Sequence, residues 1–200
     1  GRNFEYYSED GNMSYLCISV EVAAMRSKGV VTAPKHFVGN NQETNRKGLC
    51  TFTNEQAFRQ NDMRGFEGAF TLGGSNSTMT SYNRVGLRTF SQHSVMQQDI
   101  LRGEWGFKGV IISDAYQTYM HTRESLVAGN DMWCLTWDYN NINPVRDAIN
   151  GGDGYMLQAL REANKHFYYA YANSHLTNGL STDTVIVDVV NWWETMISAI

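Results

Sequence analysis

Short apolar, β-branched runs alternate along this chain with longer stretches that repeat at helical spacing. The runs predict strands at about Val30–Ala33, Asn76–Ser81, Val110–Ile112 and Met132–Leu135. Val110-Ile111-Ile112 is an uninterrupted apolar run, as expected of a strand covered on both faces. Helices are predicted over Ser14–Ser27, where Ile18, Val22 and Met25 recur and Gly29 follows as a stop. A second helix spans Asn54–Phe70 behind Thr53 as a cap, with Ala57, Met63 and Phe66 facing the core. Others run over Ser94–Leu101 and Gly154–Ala172, the last with Leu157, Leu160, Ala163 and Phe167 inward. Strand, loop and helix repeat in the order of parallel βα units, so the expected class is α/β.

In such folds ligands meet the C-terminal ends of the strands. The residues that follow the apolar runs are Lys35 and His36, then Tyr82 and Asn83, then Asp114. Behind Lys35-His36 come six amide, carboxylate or hydroxyl residues, Asn40–Asn45, and then Arg46. A polar run of this kind fits the mouth of a site.

Composition narrows the function classes. The chain has 200 residues, 42% hydrophobic and 18% charged, which is a globular balance. A net charge of -4 gives no case for nucleic acid or an anionic membrane surface. Aromatic residues make up 12%, a content that fits both sugar sites and ordinary cores. Cys17, Cys50 and Cys134 are too few and too widely spaced for a zinc ribbon or a disulfide framework, and read as small buried apolar groups. "GGDG" at 151–154 and "NGLSTDT" after 178 are the expected loop or linker points. The start shows neither a methionine nor a signal-peptide pattern. The last residues, "VIVDVVNWWETMISAI", are too short and polar for a span of about 20 residues. They fit either a terminal helix or the interfacial start of a membrane segment.

Asp114 is the sharpest chemical feature. A carboxylate directly after Val-Ile-Ile-Ser can be a nucleophile, a general base, a metal ligand or a cap for the next helix. Lys35 and His36 are adjacent, so on an extended segment they point to opposite faces. Together they suit hydroxyl donors or an anion; apart, they are a solvated lysine and a satisfied histidine. No metal is expected: the five histidines form no i,i+4 pair with an acidic partner and no HExxH occurs. There is no GxSxG elbow and no P-loop, and no cofactor is implied.

Five segments together resemble glycoside hydrolase family 3, the β-glucosidase-type enzymes. "GRNFEYYSED" is similar to the family's GRNxExxSEDP, and "KHFVGNNQETNR" to its KHFxxNxQExxR. "MTSYN" is similar to MxSYN, and "LRGEWGFKGVIISDA" to LRxEWGFxGxVxSDW. "MLQALREANKHFYYAYANS" resembles the helical end of its barrel domain. The resemblance covers roughly residues 1–180 and leaves 181–200 as a linker or tail. It implies a partial (β/α)8 TIM-like barrel and retaining hydrolysis of terminal β-glucosidic bonds. It places the nucleophile at Asp114, sugar-binding groups at Arg2, Lys35, His36 and Tyr82, and a loop-supporting role at Arg46. The implied partners are a β-glucoside or oligosaccharide substrate and a second domain of the parent enzyme that supplies the acid/base.

There are three main departures. The chain opens at "GRN", so the family's earlier barrel strands, and an aspartate that holds the sugar's distal hydroxyls, are not in it. No segment resembles the acid/base region. Ala115 stands where the family has a tryptophan after the nucleophile, and Gly11 replaces the proline of SEDP. A closed barrel takes about 250 residues, so the resemblance implies part of a larger enzyme, cytoplasmic or membrane-anchored. These 200 residues alone are then expected to leave an aryl β-glucoside intact. Two alternatives stand beside this reading. One is the β-N-acetylhexosaminidase branch, whose loop carries a histidine-aspartate pair where this chain has "VGNNQETN". The other is a catalytically inactive carbohydrate-binding fragment.

Overall fold

The first helix starts earlier than apolar spacing alone predicts, because of its cap. Asp10 is extended and its carboxylate accepts the Asn12 and Met13 N–H groups at 2.8 and 2.9 Å, so α1 spans Gly11–Ser27. This and the following description come from a computed structural model that describes residues 2, 4–135 and 141–178. The expected linker after 178 and the segment 181–200 lie outside the described residues.

A parallel sheet carries the fold. β2 (Ser77–Met79) pairs with β5 (Val110–Ala115), Thr78 opposite Ile111, and β5 pairs with β6 (Met132–Cys134). The connections are helical, as parallel pairing requires. Between β2 and β5 lies a π-helix, Val95–Glu104, whose wide winding shows in the bond from Trp105 N–H to the Ile100 carbonyl. Between β5 and β6 lies α4 (Thr122–Ala128), closed by left-handed Gly129. Then α5 (Asn143–Asn150) leads through "GGDG" to α6 (Gly154–Ala172), which Asp153 caps by accepting the Met156 N–H. Among the described residues the sheet does not close into a barrel.

The strand expected at Val30–Ala33 is an extended edge without a regular ladder. Burial alternates over Val31–His36, with Thr32, Pro34 and His36 inward and Val31, Ala33 and Lys35 outward. Pro34 has no N–H to give, and the His36 N–H goes to the Tyr6 hydroxyl at 3.1 Å. The segment is instead docked beside β2 by Met79 N–H to the Pro34 carbonyl, Phe37 N–H to the Met79 carbonyl and the Thr78 hydroxyl to the Pro34 carbonyl. The Lys35–His36 and Phe37–Val38 peptide bonds are cis.

Three other expectations change. The helix predicted over Asn54–Phe70 is two, α2 (Glu55–Gln60) and α3 (Arg64–Thr71), and Asn54 rather than Thr53 caps it. Asn61 and Asp62 form the break, and the Asp62 carboxylate there accepts from the Asn41 amide at 2.5 Å. In α6 the inward residues are Met156, Ala163 and Ala170, while Leu160 and Phe167 are exposed. The cysteines are not buried: Cys17 is exposed, and Cys50 and Cys134 are half-exposed, all free.

The main core is aromatic and sits under the Lys35-His36 segment. Phe37 is fully buried and meets Phe66, Phe70 and Phe90 edge-on at 5.2, 5.9 and 5.0 Å between ring centroids. Because Phe37 follows His36 directly, its anchorage fixes the two site residues before it. A small side sheet flanks this core. β1 (Cys50–Thr51) pairs with β3 (Arg84–Val85), which turns through Gly86-Leu87 into β4 (Arg88–Thr89). Gly86 has φ +60°, the backbone that a two-residue hairpin turn demands.

Candidate active site

Sheet order brings together residues far apart in sequence. His36 leaves the extended edge, Tyr82 follows β2, and Asp114 stands near the end of β5. His36 Nε2 lies 3.6 Å from Asp114 Oδ2, and its Nδ1 lies 3.7 Å from Glu5 Oε2. The imidazole is thus sandwiched between two carboxylates. Asp114 Oδ1 accepts the N–H of its own neighbour Ala115 at 2.7 Å, while Oδ2 is buried with no hydrogen-bond partner among the described residues. A buried oxygen without a donor is costly unless a ligand or reaction uses it.

The remaining groups surround this pair. Arg2 is buried, hydrogen-bonds Glu5 at 2.5 Å and touches Glu43. Lys35 is exposed and, with Arg2, Tyr6, His36 and Asn40, lines a cavity of about 730 Å³. Tyr82 is buried beside Asp114 rather than on the cavity wall. Arg46 pairs with Glu43 at 3.2 Å and lies over the Tyr82 ring, 4.6 Å from its centroid. All six residues singled out in the sequence therefore fall in one region. Glu5 and Tyr6 also belong to it and were not singled out, although both stand in the quoted "GRNFEYYSED". Glu5 had a signal, since it fills the glutamate of the pattern GRNxExxSEDP; Tyr6 had only its closeness in sequence to Arg2. No group of three or more His, Cys, Asp or Glu among the described residues is arranged to hold a metal.

Electrostatics give the groups different roles. Burial pushes Glu5 upward, but the Arg2 hydrogen bond and the charges of Arg2, His36 and Lys35 outweigh it, so its carboxyl is held below the ordinary value. Burial lowers His36 below 6.5, and Lys35 and Arg2 add to this against the pull of Asp114 and Glu5. Burial, then the Asp114 charge, raises the Tyr82 phenol.

The lowered His36 value has a consequence for stability. The unfolded chain binds its proton more readily, so the contribution is complete above about pH 6.5 and is lost as pH falls below it. Wild type is expected to lose more stability than His36→Gln between about pH 7.5 and about pH 5. Urea midpoints at the two pH values measure this, and equal losses would contradict it.

With this geometry in view, known proteins supply a direct comparison. The profile of the glycosyl hydrolase family 3 N terminal domain matches residues 1–168. The chain belongs to glycosyl hydrolase family 3. Among curated relatives, "Beta-glucosidase A" of Butyrivibrio fibrisolvens is 39% identical over 133 residues, covering 66% of this chain and 16% of that protein. "Beta-glucosidase" of Ruminococcus albus is 35% identical over 179 residues, 88% of this chain and 17% of the other. This family 3 chain therefore spans about a sixth of the length of those relatives. Among solved structures, β-glucosidase 3B from Thermotoga neapolitana in complex with α-D-glucose superposes with a TM-score of 0.81. The two are 35% identical, over 87% of this chain and 25% of that one. The α/β, TIM-barrel-like class expected from the sequence is that of these family 3 neighbours.

Proposed function

We propose that this domain carries the nucleophile half of a retaining β-glucosidase site, with Asp114 as nucleophile. The observation that carries this reading is the free Asp114 Oδ2, 3.6 Å from His36 Nε2 at the sheet's C-terminal edge. In the first step Oδ2 attacks the anomeric carbon, the bond to the leaving oxygen breaks, and an acid gives that oxygen a proton. In the second, water attacks the glycosyl ester, its proton returns to the same group, and Asp114 is released as carboxylate. Arg2, Lys35 and neutral His36 offer donors to sugar hydroxyls from one wall of the cavity. Tyr82 has its phenol beside the nucleophile, and Arg46 holds the loop against the Tyr82 ring.

Glu5 is the carboxylate across His36 from Asp114, but it does not suit the acid role. An acid of this kind needs a raised pKa, and Arg2 holds Glu5 ionised. We assign the acid/base to a group outside the described residues, supplied by a second domain. The β-glucosidase names of the relatives and the glucose bound in the Thermotoga neapolitana structure support the substrate class.

A 2-deoxy-2-fluoro-glucoside with a dinitrophenolate leaving group tests the assignment, since that leaving group needs no proton. The expected result is a covalent adduct on the peptide that contains Asp114. An adduct on another carboxylate would remove Asp114 from the role.

A further inference from the structure

The cations of this site are not all on the sugar-binding wall. A second set gathers around Tyr82, beside Asp114, and lines no part of the 730 Å³ cavity. Lys47 Nζ lies 5.3 Å from the Tyr82 ring centroid and donates to Gln117 Oε1 at 3.0 Å. Arg84 leaves β3, lies over the Tyr119 ring at 5.1 Å and donates to the Lys47 carbonyl at 2.7 Å. The Tyr119 hydroxyl reaches the Tyr82 carbonyl at 3.5 Å, which joins the two cation-ring pairs into one cluster with Arg46. The cluster is close to the nucleophile. Burial and Tyr82 push the Tyr119 phenol up to about 12, with Arg84 and Arg46 opposing and Asp114 adding to the rise.

Three cations here, Arg46, Lys47 and Arg84, stand near two carboxylates, Glu43 and Asp114. Glu43 pairs with Arg46 and is shared with Arg2, whereas Lys47 donates to the Gln117 side chain and Arg84 to a backbone carbonyl, with no carboxylate within ion-pair distance of either among the described residues. Such an imbalance attracts an anion to this rim. Neither Asp114 nor this rim lines the cavity that holds Arg2 and Lys35. Tyr82 stands beside Asp114 and the rim adjoins Tyr82, so on the glycosidase reading a sugar held by Arg2 and Lys35 leaves the Tyr82 side for its leaving group. Immediately past the carboxylate, Ala115 offers only a methyl group.

We propose that the leaving-group side of the site selects an aglycone that carries a carboxylate or phosphate, held by Lys47 and Arg84. This rests on the glycosidase reading, because that reading decides which side of Asp114 the leaving group occupies. Arg84 is a residue of the β3–β4 hairpin, so the side sheet sets the position of this selectivity.

Thioglucosides are the probes, because they bind without turnover. Phenyl 1-thio-β-glucoside reports sugar capture, and its 4-carboxyphenyl counterpart adds one negative charge. Titration calorimetry of the full-length protein is expected to show at least about tenfold tighter binding of the carboxylated compound. Added salt should shrink that preference. In Lys47→Gln/Arg84→Gln the preference should fall toward unity, and Arg84→Lys alone should keep part of it. Circular dichroism of each variant confirms that it is folded. A 4-aminomethylphenyl counterpart should bind more weakly than the uncharged compound. Equal binding of the charged and uncharged compounds by wild type would overturn the inference alone. So would a preference that survives the double substitution in folded protein. Failure of both thioglucosides to bind would overturn it together with the sugar-binding assignment.

Discussion

Asp114→Asn is expected to lower hydrolysis of an aryl β-glucoside by at least about 10³-fold in the full-length protein, with the fold intact. The amide oxygen of asparagine can still accept the Ala115 N–H, so the local bond that holds the side chain survives. What is lost is Oδ2, the proposed nucleophile, which stands unpartnered near His36. An amide at that place cannot form the glycosyl ester, and the reaction stops before its first intermediate. The measurement is kcat/KM with an activated substrate, alongside an unfolding curve for the variant. Added azide should restore turnover to Asp114→Ala by attacking in place of the carboxylate, which a purely structural role would not permit. Undiminished hydrolysis by the asparagine variant would end the nucleophile assignment.

The largest expected effect on stability lies away from the site, at Asp131. Its side chain is 2% exposed and serves three donors at once. Arg102 approaches at 2.7 Å, the Ile111 N–H at 2.7 Å and His166 Nδ1 at 2.9 Å. These tie the π-helix, β5 and α6 to the start of β6. Asp131→Ala strips the partner from Arg102, whose side chain is only 10% exposed, and leaves the Ile111 N–H unpaired. Burial already pulls the Arg102 guanidinium down from its ordinary value, and Asp131, with a smaller part from Glu162, opposes that. Removing one member of a buried pair costs about 3–5 kcal/mol, a large part of the ~5–15 kcal/mol that holds a domain together. Urea unfolding should show it. Replacing both partners, Arg102→Met with Asp131→Leu, should cost less than Asp131→Ala alone, because no buried charge is then left unpaired. A loss below about 1 kcal/mol for the alanine variant would show the cluster to be wetter than its burial implies.

Local pattern determined much of this protein. The uninterrupted Val110-Ile111-Ile112 run announced the central strand, since a strand covered on both faces needs apolar residues at every position. Asp114, Lys35, His36 and Tyr82 were legible as residues that follow apolar runs, and period-two alternation put Lys35 and His36 on opposite faces, though which of them turned inward, His36, was left to the structure. Boundaries were less legible where side chains decide them. Asp10 started α1 before its apolar face begins, and Asn61-Asp62 divided one apolar-periodic stretch into two helices.

Only the tertiary structure decided which of these groups meet. Glu5 joined the site because Arg2 and His36 converge on it from 3 and 31 residues away, a pairing with no periodicity to betray it. Pro34 and the Tyr6 hydroxyl turned an apparent strand into a docked edge, which no run of β-branched residues could foretell. Lys47 and Arg84 came to share the rim near Asp114 through the pairing of β1 with β3, a non-local hydrogen-bond ladder. Residue type and spacing set what each side chain can do; pairing between distant strands sets what it does it to.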